Sequence, residues 1–217
     1  MIPVKAILFD FDGTIADTAP GIVITMKETF RRMGLPIPSD EAVRQTIGLL
    51  LKDGIQKLGS LSDEDAARGL KVYRDIYPEY ELPNISIFPG VADTLARLSD
   101  LGIRKAVCTS RGKGSLDIIL SQNGLSDCFE TCITESDHLT PKPAPDMALA
   151  LMQRMGLSPD ETLVVGDTTF DILMGSRAGC RTAAVTYGNH SLPQLLTASP
   201  TYVLDRFTDL LKVFSSL

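Results

Sequence analysis

Short apolar runs alternate with longer helical patterns along the second half of this chain. The runs are typical of buried strands and occupy residues 105–108, 131–134, 162–166 and 182–186, with a first run at 6–9. Between them, apolar residues recur at helical spacing, and each such segment closes on a glycine: Gly102, Gly124, Gly156 and Gly179. This alternation predicts an α/β fold whose core is a Rossmann-like parallel sheet with helices on its faces.

The interval between the first two predicted strands does not follow this alternation. It contains three helical patterns, at residues 17–33, 39–58 and 62–80, and Ser39 and Ser62 stand where helix N-caps are expected. An ordinary crossover connection is much shorter. We therefore predict an α/β core domain of residues 1–15 and 89–217, with an inserted α-helical cap domain of residues 16–88 over the carboxyl end of the first strand.

Composition and charge limit the partners that this protein is expected to have. The chain has 217 residues, of which 44% are hydrophobic, so it can bury a sizeable core. Its net charge of -6 and its lack of a Lys/Arg block argue against a nucleic-acid partner. No apolar run is long enough to cross a membrane, and the first one is too short for a signal peptide. We therefore expect a cytoplasmic protein with no membrane partner.

The cysteines predict no metal site. Cys128 and Cys132 are four residues apart, but no second Cys/His pair completes a zinc site. Together with Cys108 and Cys180 they are expected to be small hydrophobic side chains in a reducing compartment.

Polar residues that can carry chemistry follow the predicted strands. In chain order they are Asp10 and Asp12, then Thr109, Ser110 and Arg111, then Lys142 between two prolines, then Asp167 and Asp171. If the strands are parallel, their carboxyl ends meet at one edge of the sheet, where open α/β sheets bind ligands. The sequence therefore predicts one site that gathers acids, hydroxyls and a lysine.

This mixture of side chains suits phosphoryl transfer. Several carboxylates at one place need a cation, and hard oxygen ligands favour Mg²⁺. A carboxylate can then attack phosphorus and form an aspartyl-phosphate, while a lysine and the metal offset the negative charge. A second acid can protonate the leaving oxygen and afterwards activate water.

The same residues resemble the four motifs of the haloacid dehalogenase superfamily. Asp10-x-Asp12-Gly-Thr, Thr109 after an apolar run, Lys142, and Gly166-Asp167-x-x-x-Asp171 occur in the superfamily's order and span the chain. The predicted insertion resembles its small α-helical cap, and the closest resemblance is to the phosphoglycolate phosphatase and β-phosphoglucomutase branch. The resemblance implies a Mg²⁺-dependent phosphatase that acts on a small phosphorylated metabolite, such as phosphoglycolate or a sugar phosphate.

The resemblance also implies a role for each matched residue. Asp10 is expected to be the nucleophile and a metal ligand, and Asp12 the general acid/base whose main-chain carbonyl touches the metal. Thr109 and Lys142 are expected to hold the phosphoryl group, with Lys142 also paired to an acid. Asp167 is expected to be a further metal-side carboxylate.

Some assignments remain open at this stage. Asp171 can be a metal ligand, an outer-shell partner or a helix cap. Ser110 and Arg111 lie beside the expected phosphate site and are candidate substrate-binding residues, and Arg111 is more typical of a surface or substrate-entry charge than of a catalyst. Lys52 can be a solvated charge or a substrate contact. His138 and His190 belong to no triad and are expected to be structural or exposed.

Other activities are weighed against phosphatase. An acid at position 12 disfavours dehalogenase and phosphonate-cleaving relatives. A β-phosphoglucomutase-like phosphotransferase shares the four motifs, and a non-catalytic relative that binds a phosphorylated ligand is a further alternative. A receiver domain uses similar groups but is shorter, lacks a cap and places its phosphoacceptor on a later strand. The sequence is compatible with a monomer or a homodimer.

Overall fold

A computed structural model describes residues 4–215 of the chain. In chain order the strands are β1 (Ala6–Phe9), β2 (Ala16–Asp17), β3 (Ser86–Ile87), β4 (Arg104–Cys108), β5 (Thr131–Ile133), β6 (Thr162–Gly166), β7 (Arg181–Val185) and β8 (Tyr202–Leu204). The helices are α1 (Ala19–Arg32), α2 (Asp40–Arg44), α3 (Leu51–Gly59), α4 (Asp63–Tyr80), α5 (Val91–Asp100), α6 (Lys113–Gln122), α7 (Asp146–Met155), α8 (Thr169–Arg177), α9 (Leu192–Thr197) and α10 (Leu210–Ser215).

The main sheet is six-stranded and parallel, in the order β5-β4-β1-β6-β7-β8. Strand β1 lies inside the sheet, with Phe9 in register with Val107 of β4 and Val165 of β6. Because the three strands are parallel and in register, the residues that follow them emerge side by side. This confirms the predicted fold class, an α/β core with a Rossmann-like parallel sheet.

Both faces of the sheet are covered, which explains the uninterrupted apolar run of β1. Ile7 and Phe9 pack into a cluster with α5 and α6, whereas Ala6 and Leu8 pack on the opposite face with α7 and α8. Successive strand residues point to opposite faces, so a strand buried on both sides must be apolar at every position.

Helices α1 to α4 lie between β1 and β4 and enclose an apolar cluster of their own. Its buried members include Val23, Phe30, Val43, Ile55 and Tyr73. The short antiparallel pair of β2 and β3 stands where the chain leaves and rejoins the sheet. The division into a core and a cap domain stays a prediction. Residues 1–3 and 216–217 of the predicted core domain lie outside the part of the chain that the structure describes.

The predicted helix over residues 39–58 is wrong. The structure has two helices there, α2 and α3, separated by a bridged turn that includes Ile47 and Leu49. Gly48 between them has φ of +101°, which ends a helical path. By contrast, α1 and α4 confirm the helical patterns predicted at 17–33 and 62–80, within two residues at each end. No helix in residues 4–215 is long and apolar enough to cross a membrane.

Candidate active site

Three adjacent strands bring the predicted acids and hydroxyls together at one edge. Asp10 follows β1, Thr109 follows β4 and Asp167 follows β6. The Asp10 amide donates to the Val165 carbonyl at 2.8 Å, and the Thr109 amide donates to the Ile133 carbonyl at 3.0 Å. These hydrogen bonds extend the sheet by one residue, so the side chains start from rigid backbone.

Lys142 reaches this edge from the loop before α7 and is fully buried. Its Nζ lies 2.5 Å from Asp10 Oδ1 and 2.6 Å from Asp171 Oδ1. Burial alone lowers the pKa of Lys142, but the charges of Asp10 and Asp171 outweigh it and raise the pKa above its usual value. Burial raises the pKa of Asp10, against the opposing charge of Lys142. The predicted pairing of Lys142 with an acid is therefore present.

Asp167 is held by groups from two loops. Its Oδ2 accepts hydrogen bonds from the Asn189 amide at 2.6 Å and from Asn189 Nδ2 at 2.8 Å. Thr14 Oγ1 lies 3.4 Å from its Oδ1. Burial, with the nearby charge of Asp171, raises the pKa of Asp167 to about 7. Gly13 has φ of +84°, and a Cβ there would lie only 2.1 Å from Asp167 Oδ2, so the turn after β1 requires glycine.

The acids form a cluster that fits a hard metal ion. Carboxylate oxygens of Asp10, Asp167 and Asp171 lie within 4.8 Å of one another, and all three residues are buried. Oxygen donors of this kind suit Mg²⁺. Both Asp171 oxygens also have protein partners, because Oδ1 accepts from Lys142 while Oδ2 accepts from the Thr168 amide and hydroxyl. The helix-capping alternative for Asp171 is thus present, at the start of α8.

Arg111 is largely buried, so the surface-charge alternative for it is wrong. Its side chain is 8% exposed, and its guanidinium binds both oxygens of Asp12 at 2.5–3.1 Å. It also lies 2.8 Å from Glu81 Oε1. The Asp12 carboxylate therefore points to Arg111, apart from the cluster of Asp10, Asp167 and Asp171. Sequence reasoning missed Glu81, since nothing local separates it from the many acids of α4.

A cavity of about 430 Å³ opens above the acids, between the sheet edge and the inserted helices. Asp10, Asp12 and Thr109 line one side, and apolar side chains of the insertion such as Ile22 and Leu49 line the other. Ser110 lines it as well, and its hydroxyl donates to the Gly48 carbonyl at 2.8 Å. This hydrogen bond joins the loop after β4 to the inserted segment.

The remaining candidates are not members of the acidic cluster. Lys52 pairs with Asp63 at 2.5 Å at the surface of the insertion. His138 is exposed, as expected for one of the two histidines. His190 is buried, and its Nδ1 accepts from the Thr169 amide at 3.1 Å, which is a structural contact at the start of α8. All four cysteines are free.

Asn189 is the second residue that sequence reasoning missed. It lies just beyond β7, at the carboxyl edge that supplied the other candidates. The rule used for the other strands, that residues after a parallel strand reach the site, would have found it.

Comparison with known proteins finds a matching family and relatives of similar length. The family model described as haloacid dehalogenase-like hydrolase matches residues 7–185. The probable phosphatase IndB of Dickeya dadantii is 35% identical over 94% of this chain and 90% of its own length. The phosphoglycolate phosphatase of Vibrio parahaemolyticus is 30% identical over 97% of this chain and 96% of its own length.

A solved structure gives the same result for the fold. A haloacid dehalogenase-like family hydrolase from Streptococcus pneumoniae superposes with a TM-score of 0.87 at 25% identity, covering 99% of this chain and all of that one. The similarity thus includes the sheet and the inserted helices together.

Proposed function

Because the chain belongs to the haloacid dehalogenase-like hydrolase family, we propose that it is a Mg²⁺-dependent phosphatase that hydrolyses a small phosphomonoester through an aspartyl-phosphate on Asp10. One observation carries the proposal. Lys142 Nζ bridges Asp10 and Asp171 while Asp167 completes a buried acidic cluster below an open cavity. A buried cation paired with a carboxylate that lines a cavity suits a phosphoryl group better than a neutral ligand.

The acidic cluster supplies the metal ligands in this proposal. Asp10 and Asp167 would hold Mg²⁺ together with the main-chain carbonyl of Asp12, and Asp171 would either bind it directly or support the site through Lys142. The bound ion would offset the charge of the phosphoryl oxygens, so that an anionic nucleophile can approach phosphorus.

The chain's own side chains account for each bond change. An Asp10 oxygen attacks phosphorus, and the bond from phosphorus to the ester oxygen breaks. Asp12 gives a proton to that leaving oxygen, then takes one from the water that attacks the phosphorus of the aspartyl-phosphate. Inorganic phosphate leaves and Asp10 is restored. Thr109 and Lys142 hold the phosphoryl oxygens during both steps.

The substrate proposed is a small phosphorylated metabolite. The cavity volume of about 430 Å³ suits a compact ligand such as phosphoglycolate or a sugar phosphate. The relatives named phosphoglycolate phosphatase support this size class, because they match over nearly their full length.

The test is hydrolysis of p-nitrophenyl phosphate with Mg²⁺, with a chelator, and in the variant Asp10→Asn. Loss of the nucleophile is expected to reduce kcat by about a thousandfold or more, and the chelator should abolish turnover. Asp40→Asn serves as the control, since Asp40 lies in an exposed ion pair of α2. Activity that survives Asp10→Asn or the chelator would refute this mechanism. Binding of phosphate esters with no turnover would favour a non-catalytic relative, and transfer to a sugar hydroxyl would favour a phosphotransferase.

A further inference from the structure

Each of the three guanidinium nitrogens of Arg111 donates a hydrogen bond to another side chain. Nε donates to both Asp12 oxygens at 3.0 and 3.1 Å, Nη2 binds Asp12 Oδ1 at 2.5 Å, and Nη1 donates to Ser115 Oγ at 2.6 Å. Nη2 also faces Glu81 Oε1 at 2.8 Å. A substrate anion would have to displace these carboxylates to use Arg111, so the geometry does not suit an anion receptor.

Glu81 ties this cluster to the inserted helices. It directly follows α4, its side chain is 2% exposed, and its second oxygen accepts a hydrogen bond from Tyr73 of that helix. Gly21 of α1 packs against its backbone, since a Cβ there would lie 2.6 Å from the Glu81 carbonyl oxygen. Arg111 therefore bridges a carboxylate at the sheet edge and a carboxylate fixed in the insertion.

We propose that Arg111 and Glu81 are positioning residues for Asp12: they hold its carboxylate at the wall of the cavity that the proposed nucleophile also lines, where it exchanges protons with the ester oxygen and with water. The inference rests on the proposed function, because it assigns a task to Asp12. The planar guanidinium contacts both oxygens of Asp12 and so fixes the carboxylate plane as well as its place. Glu81 holds the other side of the guanidinium and balances its charge in a buried setting.

The proposal predicts a dependence on the leaving group. An alkoxide needs a proton to depart, whereas dinitrophenolate departs without one, so misplacing the proton donor slows alkyl esters selectively. Arg111→Lys, which keeps the charge but loses the two-pronged contact, should lower kcat on 2-hydroxyethyl phosphate by roughly ten- to a hundredfold. Turnover of 2,4-dinitrophenyl phosphate should change by about threefold or less. Glu81→Gln should act in the same direction.

A second experiment separates positioning from a general structural role. In an Asp12→Asn background, Arg111→Lys should cause little further loss on the alkyl ester, because its effect runs through Asp12. Arg104→Lys is the matched control, as Arg104 makes a two-pronged contact with Glu130 at the opposite end of the sheet. This control variant should leave the turnover of both esters unchanged. Thermal unfolding of each variant checks that the fold persists.

The outcomes distinguish the two proposals. If the wild type hydrolyses both esters and Arg111→Lys slows them equally, or slows the Asp12→Asn enzyme as much as the wild type, the positioning role is overturned alone. If the wild type hydrolyses neither ester with Mg²⁺, the proposed phosphatase function fails, and this inference fails with it.

Discussion

The single side chain of Lys142 neutralises charge on two buried acids. It is the ion-pair partner of both Asp10 and Asp171, and none of the three side chains is more than 5% exposed. Removing one partner from such a cluster leaves uncompensated charge in the interior, which costs far more than losing a surface pair.

We therefore predict that Lys142→Met lowers the free energy of unfolding by about 3–5 kcal/mol in metal-free protein. Lys27→Met removes the ion pair with Asp40, in which both side chains are largely exposed, and should cost about 1 kcal/mol or less. Urea unfolding of both variants in the presence of a chelator measures the difference. Equal losses for the two would mean that the Lys142 pairs do not stabilise the fold.

At the scale of elements, the turn between α2 and α3 brings the insertion onto the sheet edge that carries the acids. A Cβ on Gly48 would lie 3.1 Å from Phe170 and 3.3 Å from Thr168, in the loop and helix that also carry Asp171. Gly48 also has a positive φ and accepts the Ser110 hydrogen bond through its carbonyl. A side chain at this position therefore requires the turn or its neighbours to shift by a few tenths of an ångström.

Gly48→Ala is expected to reduce kcat/KM for a phosphomonoester by about tenfold or more, because the insertion no longer closes on the acids. Gly124→Ala is the matched control. Gly124 has φ of +66° but has open space around its Cβ position, so it adds the backbone strain, about 1 kcal/mol, without the contact. Steady-state kinetics should show the loss for position 48 alone, and similar kinetics for both variants would contradict it.

The segment that leads into β6 is fixed by a charged contact. Glu161 lies 2.5 Å from Lys5 Nζ and accepts hydrogen bonds from the Ser158 amide and hydroxyl at 3.0 Å. The Lys5 contact, followed by those of Ser158, lowers the pKa of Glu161 from 4.5 to about 2. The stability from this carboxylate is therefore present above pH 4.5 and is lost as the pH falls through about 2.

Glu161→Gln should accordingly be less stable than the wild type at pH 7, and the difference should shrink as the pH falls from 4.5 toward 2. Urea unfolding at pH 7 and at pH 3 measures this change. Glu79→Gln, an exposed position of α4, is the control. A difference that stays constant or grows on acidification would contradict the assignment.

How far the sequence predicts this molecule depends on whether a feature is local. The site acids could be predicted because a short apolar run marks where a strand stops, and parallel strands stop at one edge. The positions of Asp10 and Asp167 could therefore be predicted without knowledge of their contacts. The pair of Glu81 and Arg111 could not be predicted, because it joins separate elements. The helix predicted across residues 39–58 failed because the turn at Gly48 packs against Thr168 and Phe170, which overrides local periodicity.

At the scale of the whole molecule, several negative charges lie close together in a protein whose net charge is also negative. The chain carries a net charge of -6, and Asp10, Asp167 and Asp171 bring three buried carboxylates together beside one lysine. A ligand that binds only the folded state stabilises it, and the gain grows with the logarithm of the ligand's excess over the dissociation constant. If the proposed metal site is correct, a divalent cation should therefore stabilise the fold as a whole.

Saturating Mg²⁺ is expected to raise the midpoint of thermal unfolding relative to chelator, by several degrees at a hundredfold excess over the dissociation constant, where the gain is about 2.7 kcal/mol. The chain contains no tryptophan, so circular dichroism is the suitable signal. Asp167→Asn should abolish most of the shift, since it removes a ligand charge while keeping an amide that fits the Asn189 contacts only in part. Asp205→Asn, whose carboxylate binds Thr186 beyond β7, should retain the shift. An equal shift in both variants would place the metal elsewhere, because a site built on the three clustered carboxylates cannot lose one of them without losing affinity.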